Sequence, residues 1–150
     1  MNRTFQTVVR WSVVVAAAAA AAILTVAQAS ARSLPISPVD GRWKATITRA
    51  ALIRTGEVDQ ASAAKLYGPY TARFAAGRFK IRNGRTGRGA AGSFTLSGKL
   101  VRFVFAYGVG LKPGAVAVCA ESVYRDRLTF TKAPGRPCLA FDAAVWTRVR

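Results

Sequence analysis

The stretch "VDGRWKATIT", residues 39–48, sets Trp43, Ala45 and Ile47 on one side of an extended chain and Arg42, Lys44, Thr46 and Thr48 on the other. Alternation with period two is the pattern of a strand buried on one face only. A single such strand cannot cover its own apolar face, so the rest of the chain must supply a sheet.

The alternation breaks in "TRAALIRTGEVDQASAAKLYG", residues 48–68, which reads as two short helices. Thr48 and Asp59 are placed to cap them, Gly56 to end the first in a left-handed conformation, and Gly68 to follow the second. Ala51, Leu52, Val58 and Leu66 are the expected contacts with the sheet. Helices this short need packing on something larger to be stable.

Period two then returns and persists. "PYTARFAAGRFKIRNG", residues 69–84, reads as a hairpin turning at Ala75–Gly77, and "GSFTLSGKLVRFVFAYG", residues 92–108, as a second turning at Ser97-Gly98. "SVYRDRLTFTK", residues 122–132, gives a third with Arg125–Arg127 at its turn, and "AFDAAVWTRV", residues 140–149, the closing strand. "GVGLKPGAVAVCA", residues 108–120, reads as a Gly/Pro loop with a short extended piece. The count is eight antiparallel strands with a helix pair between the first two. That predicts an all-β fold, an up-and-down eight-stranded barrel, with a two-sheet sandwich as the competing arrangement.

Parity places Trp43, Ala45, Ile47, Tyr70, Ala72, Phe74, Phe79, Ile81, Phe94, Leu96, Phe103, Phe105, Tyr124, Leu128, Phe130 and Trp146 inside, with Val104 able to trade places with its two phenylalanine neighbours. Eight strands enclose a space that side chains fill or that holds one small ligand, and both readings stay open here.

Ahead of this domain, residues 1–29 read as a signal peptide. Arg3 and Arg10 supply the positive region, "VVVAAAAAAAILTVA" (13–27) the apolar one, and Ala27-Gln28-Ala29 a small-x-small cleavage site. The apolar run is short for a spanning helix, so no stable transmembrane anchor is expected. Residues 30–38, "SARSLPISP", form an extended lead-in, and residues 39–150 the barrel domain, expected to be monomeric and secreted, periplasmic or held in the cell envelope.

Export bears on the two cysteines, Cys119 and Cys138, because an oxidising compartment favours their pairing. Free thiols and metal ligation are the alternatives, and two Cys without a His make a poor zinc site. The 150-residue chain has no histidine, which excludes Ser-His-Asp and Cys-His catalysis and His-bound metals. Of its six acids, Asp59 is assigned to a helix cap, Asp126 to a turn and Asp40 to the start of the first strand. Glu57 has no assigned role, and Glu121 and Asp142 would form an acid pair only by tertiary accident. "GRTGRGAAG", residues 84–92, lacks the Gly-Lys-Ser/Thr ending of a phosphate loop. No enzyme, metal or cofactor is expected.

Gly41-Arg42-Trp43 resembles the Gly-x-Trp that opens the first strand of lipocalins and related calycins. "TITRAAL", "GRF", "YRDRLTF" and "VWTRV" are similar to stretches of small secreted bacterial proteins of lipocalin-like type, and the helix pair is similar to the lid of the fatty-acid-binding branch. The resemblance implies that Gly41 and Trp43 close one end of the barrel and that Trp43 stacks on an arginine near the last strand, Arg148 or Arg150. It further implies an interior that binds a small apolar or amphipathic molecule, lined by Tyr70, Phe74, Phe79, Phe94 and Phe105, with Arg102 near the mouth meeting an anionic head.

A second reading comes from charge. Lys and Arg number 23 against 6 acids, a formal net charge of +17, and "RFKIRNGRTGR", residues 78–88, carries Arg78, Lys80, Arg82, Arg85 and Arg88 with no acid. Such a run is a solvated face or a contact for anionic polysaccharide or lipid, with nucleic acid the less expected partner. On this alternative the barrel is filled and serves as a structural or surface-interaction module.

Overall fold

The computed structural model describes residues 37–150; the signal-peptide reading and all of the lead-in before Ser37 lie outside them. Eight strands close into one antiparallel meander in which every strand pairs with its sequence neighbours and the last returns to the first. They are β1 (Gly41–Ile47), β2 (Gly68–Ala75), β3 (Arg78–Asn83), β4 (Gly89–Ser97), β5 (Leu100–Tyr107), β6 (Val116–Tyr124), β7 (Arg127–Lys132) and β8 (Val145–Arg148). Closure satisfies both edges of every strand, and the sandwich alternative falls.

Two helices, α1 (Arg49–Arg54) and α2 (Gln60–Leu66), sit between β1 and β2. The Thr48 hydroxyl accepts from the Ala51 N–H at 3.1 Å, and the Asp59 carboxylate accepts from Ser62 N–H at 2.6 Å, which are the two caps the sequence predicts. Gly56 follows α1 at φ +71. Ala51, Leu52 and Ala63 are buried, whereas Val58 and Leu66 are half-buried against the core.

The helices, the turn at residues 84–88, the loop at residues 108–115 and the loop at residues 133–144 all lie at one end of the barrel, here the upper end. The lower end carries the two-residue turns Ala76-Gly77, Gly98-Lys99 and Arg125-Asp126, together with Ser37–Asp40. Ala76 and Gly77 both have positive φ (49 and 71), which matches the turn twist to that of the flanking strands.

Inside, parity holds with two exceptions. Trp43, Ile47, Phe74, Phe79, Phe94, Phe103, Phe105, Leu128, Phe130 and Trp146 are buried, and Tyr70, Ile81 and Leu96 half-buried. Phe103 and Phe105 face in and Val104 does not trade with them. Tyr124 is instead 66% exposed. A three-residue turn at Arg125–Arg127 would direct Tyr124 inward, but the turn is two residues, pairing Tyr124 with Arg127 and Val123 with Leu128. One residue of turn length reverses the facing of a strand end.

The second exception is the chain before β8. The stretch read as a closing strand is strand only from Val145; Phe141–Ala143 is a 3-10 turn that inserts Phe141 into the barrel. β6 starts at Val116, so the short extended piece expected within residues 108–120 is the first part of its ladder, and the Gly/Pro loop is confined to residues 108–115. Cys119 on β6 and Cys138 in the loop between β7 and β8 form a disulfide.

Candidate functional site

The lower end is closed by Trp43. Its ring is fully buried, its indole N–H donates to the Val39 carbonyl at 2.8 Å, and the Arg148 guanidinium lies 4.3 Å from the ring centroid. Arg148, not Arg150, is the partner. It also donates to the Asp40 carbonyl at 2.9 Å, so one side chain ties the last strand to the chain segment crossing the barrel floor. Gly41 is required beneath it: a Cβ there would stand 2.6 Å from Arg148 Nη1, and its φ of +138 favours glycine.

Above the plug the barrel is full. Phe74 packs edge-on to Phe94 at 5.7 Å, Phe79 meets Phe103 and Phe105 at 5.2 Å each, and Phe141 stacks on Phe103 at 4.2 Å and 11°. Edge-to-face and offset contacts of this kind suit the ring quadrupoles and pack this layer as a buried aromatic cluster. The β4–β5 register shifts between Ala91 and Gly92, and at Gly92 a Cβ would stand 2.0 Å from the Val104 carbonyl oxygen.

The upper third is different. A cavity of about 570 Å³ lies beneath the helices, within the size range of small-molecule sites. Ile47, Leu52, Leu66, Tyr70, Ile81, Ala90, Leu111, Phe141 and Trp146 form its apolar walls, and Lys65, Arg85, Thr86 and Arg88 stand among the residues lining it from α2 and the 84–88 turn. One barrel thus holds a buried aromatic cluster in its middle and a cavity beneath its helices.

This division redistributes the residues assigned from sequence. Of the five aromatics given to the ligand, only Tyr70 lines the cavity; Phe74, Phe79, Phe94 and Phe105 belong to the packed layer below. Arg102 is exposed on the outer face of β5, opposite Thr95 and Val118, because its parity is opposite to that of Val101 and Phe103. The cations that do reach the cavity are Lys65, Arg85 and Arg88. Two of these were grouped with the basic strand, from which the turn after Asn83 separates them.

Arg85 holds the lid. Its guanidinium donates to the carbonyls of Lys65 at 2.9 Å and Tyr67 at 3.1 Å and lies 4.1 Å over the Tyr67 ring, satisfying the free carbonyls at the end of α2. Asn83, buried inside the end of β3, donates to Leu66 and Tyr67 carbonyls and accepts from the Arg85 and Thr86 N–H groups. The Tyr70 hydroxyl donates to the Leu66 carbonyl, and burial pushes its phenol up, which keeps it a donor. Asn83 was missed although the run Phe79, Ile81, Asn83 points it inward.

Glu57, between the helices, binds the other side of the lid. Its carboxylate accepts from the Cys138 N–H at 2.9 Å and from Leu139 N–H, and Lys132 Nζ lies 3.0 Å away. Burial alone would raise this carboxyl, but the backbone donors and the ammonium outweigh it and hold it below the usual carboxylate range. A depressed acid stabilises the fold above its unfolded pKa and loses that contribution as pH falls through the folded one. Glu121 is the opposite case, raised by burial on the inner face of β6, so its contribution is full at acid pH and is lost as pH rises. Glu57→Gln is expected to cost about 1 to 2 kcal/mol at neutral pH and to flatten the fall in stability on the acid side. Urea unfolding of parent and variant across the carboxylate range measures this, and parallel curves would remove Glu57 from the account.

Comparison with family models, with curated proteins and with solved structures returned no match.

Proposed function

We propose that this chain is an exported, non-enzymatic, monomeric barrel of lipocalin-like type that holds one small apolar or amphipathic molecule in its upper cavity. The observation carrying this reading is the cavity itself: an apolar chamber of about 570 Å³ with cations at its lining from one side. Burying a hydrocarbon chain there gains roughly 25 cal/mol per Å² of apolar surface removed from water. Lys65 and Arg88 are exposed, and neither is committed to the lid in the way Arg85 is. They are the groups to meet an anionic head, in the part first given to Arg102. Tyr70 and Asn83 hold the wall rather than the ligand, since their polar atoms are engaged with the end of α2.

Trp146 lines the cavity, whereas Trp43 lies at the far end under Arg148. Titration with dodecanoate is therefore expected to change Trp146 fluorescence saturably. Ala90→Phe, which fills the cavity from β4, should weaken binding by at least about tenfold, with a thermal midpoint confirming that the variant folds. Dodecanol compared with dodecanoate isolates the rim cations. A parent protein that responds to neither probe would overturn the reading.

A further inference from the structure

We propose that the outer face of β1, β2 and β3 is a binding surface for an acidic polysaccharide, separate from the cavity. The ladder sets Arg42 opposite Arg73 and Arg73 opposite Lys80, and one row higher sets Lys44 and Arg82 on either side of Thr71. With Arg78 these make six exposed cations, in rows spaced about 5 Å across strands and about 7 Å along them. No Asp or Glu occurs on β1, β2, β3, β4 or β5. The ion pair identified among the described residues, Lys132 with Glu57, lies elsewhere.

Like charges directly opposite on neighbouring strands destabilise a sheet. A three-strand row of cations with no interleaved acid is thus a feature that stability does not explain and that an anionic partner would relieve. The register adds Arg42, Lys44 and Arg73, which are remote from the 78–88 run in sequence, and removes Arg85 and Arg88.

Chemistry of the face selects the partner. The exposed aromatic side chains, Tyr107 and Tyr124, lie off it, and the exposed aliphatics that border it are two small ones on the β8 side, Val145 and Val149, so it offers a bilayer no large anchor and nucleobases no stacking platform. It is the wall of a closed barrel, with neither a helix nor a projecting two-stranded ribbon to enter a DNA groove. What it offers is a lattice of charges matched to a flexible chain bearing carboxylate or sulfate groups at short intervals.

The test uses the full exported protein and heparin as the probe. Arg42→Gln/Arg73→Gln/Lys80→Gln is compared with Lys99→Gln/Lys112→Gln/Arg136→Gln, which removes the same charge from three exposed turns and loops. The face variant should bind heparin at least about tenfold more weakly at fixed salt and lower the salt-dependence slope by roughly two to three, while the control changes by less than about threefold. Its thermal midpoint should equal or exceed the parent's, since repulsion is relieved. Equal losses in both triple variants would reduce the effect to net charge and overturn the proposal. Tighter binding to anionic vesicles or to duplex DNA than to heparin would overturn the choice of partner. Dodecanoate binding is expected unchanged in both variants, so the two readings fail independently.

Discussion

Replacing Trp43 with alanine is expected to lower the unfolding free energy by about 3 to 5 kcal/mol, which for a domain of this size is a fall in midpoint of roughly 10 to 20 °C. Three losses combine. The ring is entirely removed from water and packs within the core cluster that includes Val39 and Ala72, so truncation leaves a cavity where the floor of the barrel was. The Val39 carbonyl, itself on a fully buried residue, loses the indole donor at 2.8 Å, and an unpaired buried acceptor carries its own penalty. The Arg148 guanidinium loses the aromatic face 4.3 Å away, worth about 1 kcal/mol. Arg148→Met should cost less, because the methionine keeps an apolar stem over the ring. The double variant should show coupling of about 1 kcal/mol, as expected for side chains in direct contact. Denaturant unfolding of all four proteins measures the cycle. A Trp43→Ala protein as stable as its parent would mean that the lower end is closed by something other than this plug.

The closed end was legible because its signal is local. Gly41 and Trp43 are two residues apart on a strand whose alternation is unbroken, and Arg148 stands on a strand that must pair with β1 once the barrel closes. The upper end was less legible because its geometry is set by backbone conformations that no residue type announces. Leu139 and Ala140 both adopt positive φ, 51 and 68, and that reversal turns Phe141 from a strand residue into a core ring stacked on Phe103. With Phe141 inside, the aromatic layer is complete, so Phe74, Phe79, Phe94 and Phe105 become packing rather than cavity wall.

Charge shows the same limit. The alternation in residues 78–82 correctly points Arg78, Lys80 and Arg82 outward, but treating residues 78–88 as one basic stretch joined two environments. The strand ends at Asn83, whose buried amide fixes the following turn, and from there Arg85, though exposed, is tied to the carbonyls at the end of α2. The partners of Arg82 across the sheet are Thr71 and, beyond it, Lys44, residues that only the register brings together.

Removing the disulfide is expected to cost about 3 kcal/mol in the loop-entropy account for cysteines 19 apart, and the loss should concentrate at the upper end. Cys138 does more than join β6 to the loop between β7 and β8. Its N–H and that of Leu139 hold the Glu57 carboxylate, and three residues on Phe141 supplies the ring between the packed layer and the cavity. The Phe141 carbonyl also faces the Trp146 indole N–H at 3.4 Å. Freeing residue 138 therefore loosens the anchor of the lid and part of the cavity wall together, while β1 to β5 and the Trp43 plug keep their own contacts. Cys119→Ala/Cys138→Ala should accordingly show faster amide exchange across residues 57–59 and 137–142 than the parent under native conditions, with β3 to β5 still protected. It should also bind dodecanoate more weakly than its loss of global stability requires. Uniform loss of protection across all strands would instead make the bridge a constraint on the whole chain, with no special hold on the lid.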